Sequence, residues 1–291
     1  MKLAGAPISW GVCEVPGWGR VLDPGTVLAQ MSALGLRATE LGPPDYLPGD
    51  PDVLRGLLVG HGLALAGGFL ALPLHTGDRT AADEADRVAA LLAAAGAEVL
   101  VLAAATGLDG YDDRPDLTDH EWRTLVATAA LVRDRAAGHG LRTALHPHVG
   151  THVEREAEVE RFLADSDLPL CLDTGHLLIG GADPVDLARR HPGRIGHVHL
   201  KDVRADVAAT VRSGATTYAA AVRQGLYVPL GDGDVDVAAL VTTLRDAGYD
   251  GWFVLEQDTA LDPDGPADGP LRDAARSLAH LTTLIPELER R

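Results

Sequence analysis

Short apolar runs recur along the chain, each preceded by a longer Ala-rich amphipathic segment and a Gly: ALGLRATEL (33–41), GHGLALAGGF (60–69), AAGAEVLVL (94–102), GHGLRTAL (138–145) and DAGYDGWFVL (246–255). The Gly suits the left-handed residue that ends a helix, so each unit predicts a helix, a turn and a strand. Strands that are apolar on both faces belong in a parallel sheet, because parallel neighbours need crossovers and the crossover helices cover both faces. The pattern places strands near 4–9, 37–41, 64–70, 98–103, 142–146, 169–173, 195–200 and 252–256. Helices are predicted at 24–34, 51–60, 81–95, 119–139, 151–164, 184–191, 236–247 and 270–287. Such a set of strand–helix units predicts one α/β domain over residues 1–291, a closed (β/α)8 TIM barrel. The competing architecture is an open doubly wound sheet, but no GxGxxG or Walker-type glycine loop follows an early strand.

Four of the apolar runs stop at a group able to bind a metal ion: RTALHPH (142–148), LPLCLDTGH (168–176), IGHVHLKD (195–202) and GWFVLEQD (251–258). The C-terminal strand ends of a barrel converge on one mouth, so His146, Asp173, His199 and Glu256 are expected around a single cation. Alternation along a strand puts His197, His199 and Lys201 on the inward face and Val198 and Leu200 on the outward one. By the same parity Ala144, His146 and His148 share a face, as do Cys171 and Asp173. Two imidazoles and two carboxylates suit one divalent metal ion, Mn²⁺ or Co²⁺ first, with Mg²⁺, Fe²⁺ and Zn²⁺ also compatible. Any one of these residues has a bland explanation as a helix cap or a satisfied core group. Four at strand ends do not, because unpaired charges gathered in one mouth are costly to bury without a cation.

The hydrophobic share of 46% with only 4% aromatic residues predicts an aliphatic core and leaves the few Trp and Tyr as candidates for pocket walls. A formal net charge of −17 with scattered Lys and Arg argues against nucleic acid and anionic membrane as partners, since phosphate binding needs clustered basic residues. Cys13 and Cys171 form neither a disulfide framework nor a metal-thiolate spacing. The opening MKLAGAPISWG lacks the continuous apolar core of a signal peptide, and a cytoplasmic location is expected. The most membrane-like run, 88–105, is cut by Gly96 and Glu98 and reads as helix, turn and strand.

The motifs resemble the xylose-isomerase-like TIM-barrel superfamily of sugar phosphate isomerases and epimerases, and within it the inosose (2-keto-myo-inositol) dehydratase group. The resemblance covers nearly the whole chain and rests on ISWG (8–11), RATELGPPDYLP (37–48), HPHVGTHVE (146–154), CLDTGH (171–176), HVHLKD (197–202), LYVPLGDGDVD (226–236) and GYDGWFVLEQD (248–258). It implies that Asp173, His199 and Glu256 are metal ligands and that His146 stands where many isomerases and epimerases have a glutamate. It also implies substrate-contacting or proton-relay roles for His176, Glu40 and Lys201. An epimerase needs acid–base groups on both faces of the substrate carbon, and this chain keeps one of the two usual carboxylates. The resemblance therefore implies a metal-dependent lyase that dehydrates a cyclic keto-polyol through an enediolate, with Glu256, His176 and Lys201 as catalytic groups. A sugar isomerase or epimerase acting on a ketose is the alternative.

Trp10, His75 and His148, with Glu40, are the further candidates for substrate contact. His61, His139 and His191 read as helix-end caps, and the acidic clusters at Asp109–Asp116 and Asp258–Asp268 as solvated loops. The long segment from Val203 to Asp234, with Tyr218, Arg223 and Tyr227, is expected to cover the mouth and to contact a second copy in a possible homo-oligomer, or else to form a surface helix. An apurinic-site endonuclease on the same fold is disfavoured by the net charge, and a non-catalytic binding role by the intact ligand set.

Overall fold

Residues 1–285 are described by a computed structural model of the chain. Among the described residues ten strands form: β1 Lys2–Gly5, β2 Ala38–Glu40, β3 Ala64–Leu72, β4 Val99–Ala104, β5 Arg142–Leu145, β6 Leu170–Asp173, β7 Ile195–Leu200, β8 Asp202–Val203, β9 Tyr227–Val228 and β10 Trp252–Leu255. Eight of them close a barrel in the order β1-β10-β7-β6-β5-β4-β3-β2, every neighbouring pair parallel. The remaining pair, β8 and β9, forms a two-stranded antiparallel ribbon beside the mouth. The expected (β/α)8 barrel is the observed architecture.

The helices start where short polar side chains satisfy free amides. Asp23, Asp50, Asp78 and Asp183 accept from backbone N–H groups of the first turns of the helices that follow them. Thr118 and Glu121 form a reciprocal capping box at Asp119–Gly138. His61, His139 and His191 sit at helix C-caps, as their sequence neighbours suggested. The main core lies between barrel and helices and is dominated by Leu, Val and Ala. Inside the barrel the packing is made of small groups: Ala4, Ala6, Ala38 and Ala66 around Val254 and Trp252, and Val99, Val101 and Ala144 around Cys171.

Several boundaries differ from expectation for local reasons. The strand predicted at 4–9 runs over Lys2–Gly5, because Pro7 lacks an amide proton and opens a 3₁₀ turn, Pro7–Trp10, that Gly11 closes at φ 79°. The helix predicted from 151 begins at Glu156. Before it, Thr151 turns the chain by donating to the carbonyls of His148 and Val153. The last predicted helix is observed as Gly269–Leu284, and positions 286 and 287 of the prediction lie outside the described residues. A short helix not anticipated from the sequence, Thr174–Ile179, starts directly at Asp173, whose Oδ1 accepts from the His176 amide at 2.8 Å.

The segment between β7 and β10 is organised rather than loose. It carries three helices, Ala205–Arg212, Tyr218–Arg223 and Val237–Asp246, and its first part is anchored by Asp202. The fully buried Asp202 carboxylate accepts from the amides of Val203, Gly231, Gly233 and Val235 at 2.8–3.0 Å. Gly231 lies at φ 91°, and a Cβ there would strike the His280 ring, which accounts for glycine in PLGDG. Replacing Asp202 with Ala strands buried amides, so the variant is expected to lose about 3 kcal/mol of stability. Urea unfolding measures the loss, and amide exchange should quicken at Gly231, Gly233 and Val235. A midpoint equal to that of the parent protein would remove Asp202 as the anchor.

Candidate metal and active site

His146 follows β5 directly, Asp173 ends β6, His199 lies near the end of β7 and Glu256 follows β10 directly. The parallel register pairs Asp173 with His199, and Glu256 lies two positions beyond Val254, the β10 partner of His199, on the same strand face. His146 Nε2 lies 3.4 Å from Asp173 Oδ2 and 3.1 Å from His199 Nδ1. His199 Nδ1 lies 3.5 Å from Asp173 Oδ2 and 2.7 Å from Glu256 Oε2. Ligand atoms about 2.1 Å from a common centre and at right angles stand about 3 Å apart, so these separations match a coordination shell.

Asp173 Oδ2 and Glu256 Oε2 are buried with no hydrogen-bond partner, as is His146 Nδ1. Unsatisfied buried carboxylate oxygens are costly, and a divalent cation between them removes the cost. The residues present therefore fit a metal ion. Other close donor groups are Glu40, His197 and His199; His146, Cys171 and His199; and His146, Asp173 and His176. The Cys171 thiol is pushed up to about 12 by burial and is not a thiolate near neutral pH. His176 Nε2 is already occupied by Lys201, at 3.0 Å.

Lys201 follows the expected strand parity, yet it sits behind the ligands rather than on the pocket wall. The residue is 1% exposed, and its ammonium contacts Asp258 Oδ1 at 2.6 Å, Glu256 Oε1 at 2.9 Å and His176 Nε2 at 3.0 Å, with Asp173 Oδ2 at 3.4 Å. Burial alone would lower its pKa, but Asp173, Asp258 and Glu256 hold it well above the usual lysine value. Burial would likewise raise Glu256, and His199 and Lys201 bring it down to about 2. His176 is also enclosed; burial, then His148 and Lys201, keep it neutral far below its usual pKa. Both ring nitrogens of His176 face donors, Lys201 Nζ at Nε2 and the Val149 amide at Nδ1, 3.4 Å away. Gly175 makes this packing possible, since a Cβ there would lie 2.8 Å from Lys201 Cβ and 2.9 Å from the Tyr227 ring.

Asp258 is a correction to the sequence reading. It was grouped with a solvated acidic loop, whereas it is buried and lines the pocket, with Lys201 on one oxygen and the Tyr218 hydroxyl donating to the other at 2.5 Å. The alternation that marked Glu256 had ended by position 258, so only the pairing with Lys201 reveals it. Tyr218 and Tyr227 share a hydroxyl contact of 2.8 Å. Arg223 donates to the carbonyls of Gly17 and Trp18. These contacts fasten the 203–234 segment to the site and to the loop that carries Trp18.

The remaining candidates divide clearly. The pocket above the four donor residues is lined by Glu40, His148 and Asp258, by the apolar Ile8, Val12, Pro43 and Pro44, and by the rings of Trp18, Phe69 and Tyr111. Trp10 is fully buried, donates Nε1 to Gln30 at 2.8 Å and does not reach the pocket. His75 packs against His152, ring centres 4.4 Å apart, away from the pocket wall. Glu40 reaches across the barrel to His197 and His199. His148 stacks on His176 at 3.8 Å, and its Nδ1 lies 2.7 Å from the Val149 carbonyl, which fixes the proton on Nδ1 and leaves Nε2 an acceptor. Among the described residues no Lys or Arg lines this pocket.

Fold and site together define a closed parallel barrel with donors for a metal ion at the strand C-termini. The chain belongs to the xylose isomerase-like TIM-barrel family, which it matches over residues 28–283. It is 30% identical to an inosose dehydratase of Lacticaseibacillus casei over 298 residues, 99% of each chain. Its fold superposes on a structure of L-ribulose 3-epimerase with a TM-score of 0.71, at 19% identity and covering 100% of this chain and 96% of that one. It superposes equally on the IOLI protein with a bound zinc atom, TM-score 0.72 at 15% identity, covering 99% of each chain. No helix among the described residues is long and apolar enough to cross a membrane.

Two variants test the site. Elemental analysis of dialysed protein should find one equivalent of divalent metal in the parent and none in a folded Asp173→Ala protein; full occupancy in the variant would refute the ligand set. The Lys201→Met protein leaves Asp173, Glu256 and Asp258 facing one another, so its metal-free form should be about 3–5 kcal/mol less stable in urea. A change under 1 kcal/mol would contradict the buried charge balance.

Proposed function

We propose that the protein is a metal-dependent dehydratase of an uncharged cyclic keto-polyol, of the inosose type. The observation that carries this reading is the pocket lining, which combines carboxylates and imidazoles with apolar and aromatic residues and has no Lys or Arg among them. Such a wall hydrogen-bonds hydroxyl groups and covers the C–H face of a ring, while it offers no counter-charge to a phosphate or carboxylate. The inosose dehydratase relative, aligned over the full chain, supports the same substrate class.

His146, Asp173, His199 and Glu256 would hold the ion, and a divalent ion there supplies Lewis-acid polarisation of a carbonyl. The remaining chemistry belongs to side chains. His148 lines the pocket and, with its proton on Nδ1, keeps Nε2 as an acceptor that takes the proton from the carbon next to the ketone. The C–O bond one carbon further breaks, and the hydroxyl departs as water with the proton handed back by the His148 imidazolium. The resulting enol tautomerises to the diketone. The step is redox-neutral and consumes no co-substrate. Burial depresses His148 to about 3, so its proton is held only transiently. Glu256 and Asp258 present carboxylates to the same pocket and orient hydroxyl groups. Lys201 and His176, expected from the sequence as catalytic groups, act from behind by holding Glu256 and Asp258 in place.

Incubation of metal-loaded protein with a keto-inositol should release water and give the unsaturated product or its diketone, followed by NMR, while ketohexoses should be epimerised poorly. The His148→Gln variant should bind metal normally and turn over about 10²–10⁴-fold more slowly. Efficient C3 epimerisation without dehydration would establish the epimerase alternative instead.

A further inference from the structure

Glu40 makes an unusual pair of contacts for a residue at a barrel mouth. Its single oxygen Oε1 lies 2.8 Å from His197 Nε2 and 3.2 Å from His199 Nε2. The strands that carry these residues, β2 and β7, are not neighbours in the barrel, so the carboxylate bridges the interior. Both imidazoles are buried, with His197 fully enclosed. Two imidazole nitrogens converging on one carboxylate oxygen at these distances is the geometry of two N–H donors to one acceptor. An ionised carboxylate accepts and never donates, so each Nε2 carries a proton.

A neutral imidazole with its proton on Nε2 has its lone pair on Nδ1. His199 Nδ1 is the atom that faces His146 Nε2, Asp173 Oδ2 and Glu256 Oε2. The opposite tautomer would point an N–H into that cluster and close the shell to a cation. We propose that Glu40 is a positioning residue that locks the tautomer and rotation of His199 so that Nδ1 is its metal-binding atom, with His197 bracing the carboxylate from the other side. The inference rests on the reading that His146, Asp173, His199 and Glu256 hold a divalent ion. It assigns Glu40 a task other than the substrate contact expected from the sequence.

Carboxylates that orient a ligating histidine commonly contribute about 10–100-fold in metal affinity. Zn²⁺, which is diamagnetic, serves as the probe, with ¹⁵N-histidine NMR of the loaded parent protein and Zn²⁺ affinity of parent and Glu40→Gln proteins. The expected spectrum shows His199 coordinated through Nδ1 and protonated at Nε2, and the variant should bind Zn²⁺ about 10–100-fold more weakly. Its metal-free thermal midpoint serves as the check on folding. Coordination of His199 through Nε2 overturns the proposal, as does a folded Glu40→Gln protein with Zn²⁺ affinity within twofold of the parent. If that variant does not fold, the spectrum of the parent protein decides alone. A parent protein that binds Zn²⁺ but not through His199 also overturns it. One that binds no Zn²⁺ overturns the metal reading itself.

Discussion

The structure depends on the cost of gathering carboxylates where water is excluded. Glu40, Asp173, Glu256 and Asp258 are all buried at one mouth, and Lys201 is the single buried ammonium among them. Left alone, such an arrangement would repel itself or take up protons. The surroundings answer most of these charges: two histidines for Glu40, Lys201 and a tyrosine for Asp258, and Lys201 for Glu256 Oε1. The oxygens left without a partner, Asp173 Oδ2 and Glu256 Oε2, point to where a cation belongs. The barrel supplies the scaffold for this balance, because parallel strand ends deliver side chains to one level without any loop having to carry them.

The same constraint separates what touches a ligand from what stands behind it. Lys201 and His176 spend their polar atoms on neighbours and keep Glu256, Asp258 and Asp173 in register. His148 keeps one nitrogen free because a backbone carbonyl fixes the other. The segment after β7 adds Tyr218 and Tyr227 to the back of the site, so it acts as a built wall.

Much of this was legible in the sequence because its physics is local. Apolar runs ending in His146, Asp173, His199 and Glu256 gave both strand positions and donor types, and alternation in HVHLKD assigned faces correctly. What escaped was set by tertiary contact. Whether Lys201 faces substrate or turns back depends on Asp258, which lies beyond the end of its strand's alternation. Trp10 looked like a pocket ring because it ends an apolar run, but Pro7 turns the chain and delivers it to the core, while Trp18 takes the wall position. Glu40 offered no clue to its partners, since they lie 157 and 159 positions away.

The central claim is that these four strand-end residues form one metal shell. Crystals grown with Mn²⁺, measured on both sides of the manganese absorption edge, test it most directly. The account predicts one anomalous peak bonded to His146 Nε2, Asp173 Oδ2, His199 Nδ1 and Glu256 Oε2. A peak held instead by Glu40, His197 and His199, or no peak in the mouth of fully folded protein, would contradict it.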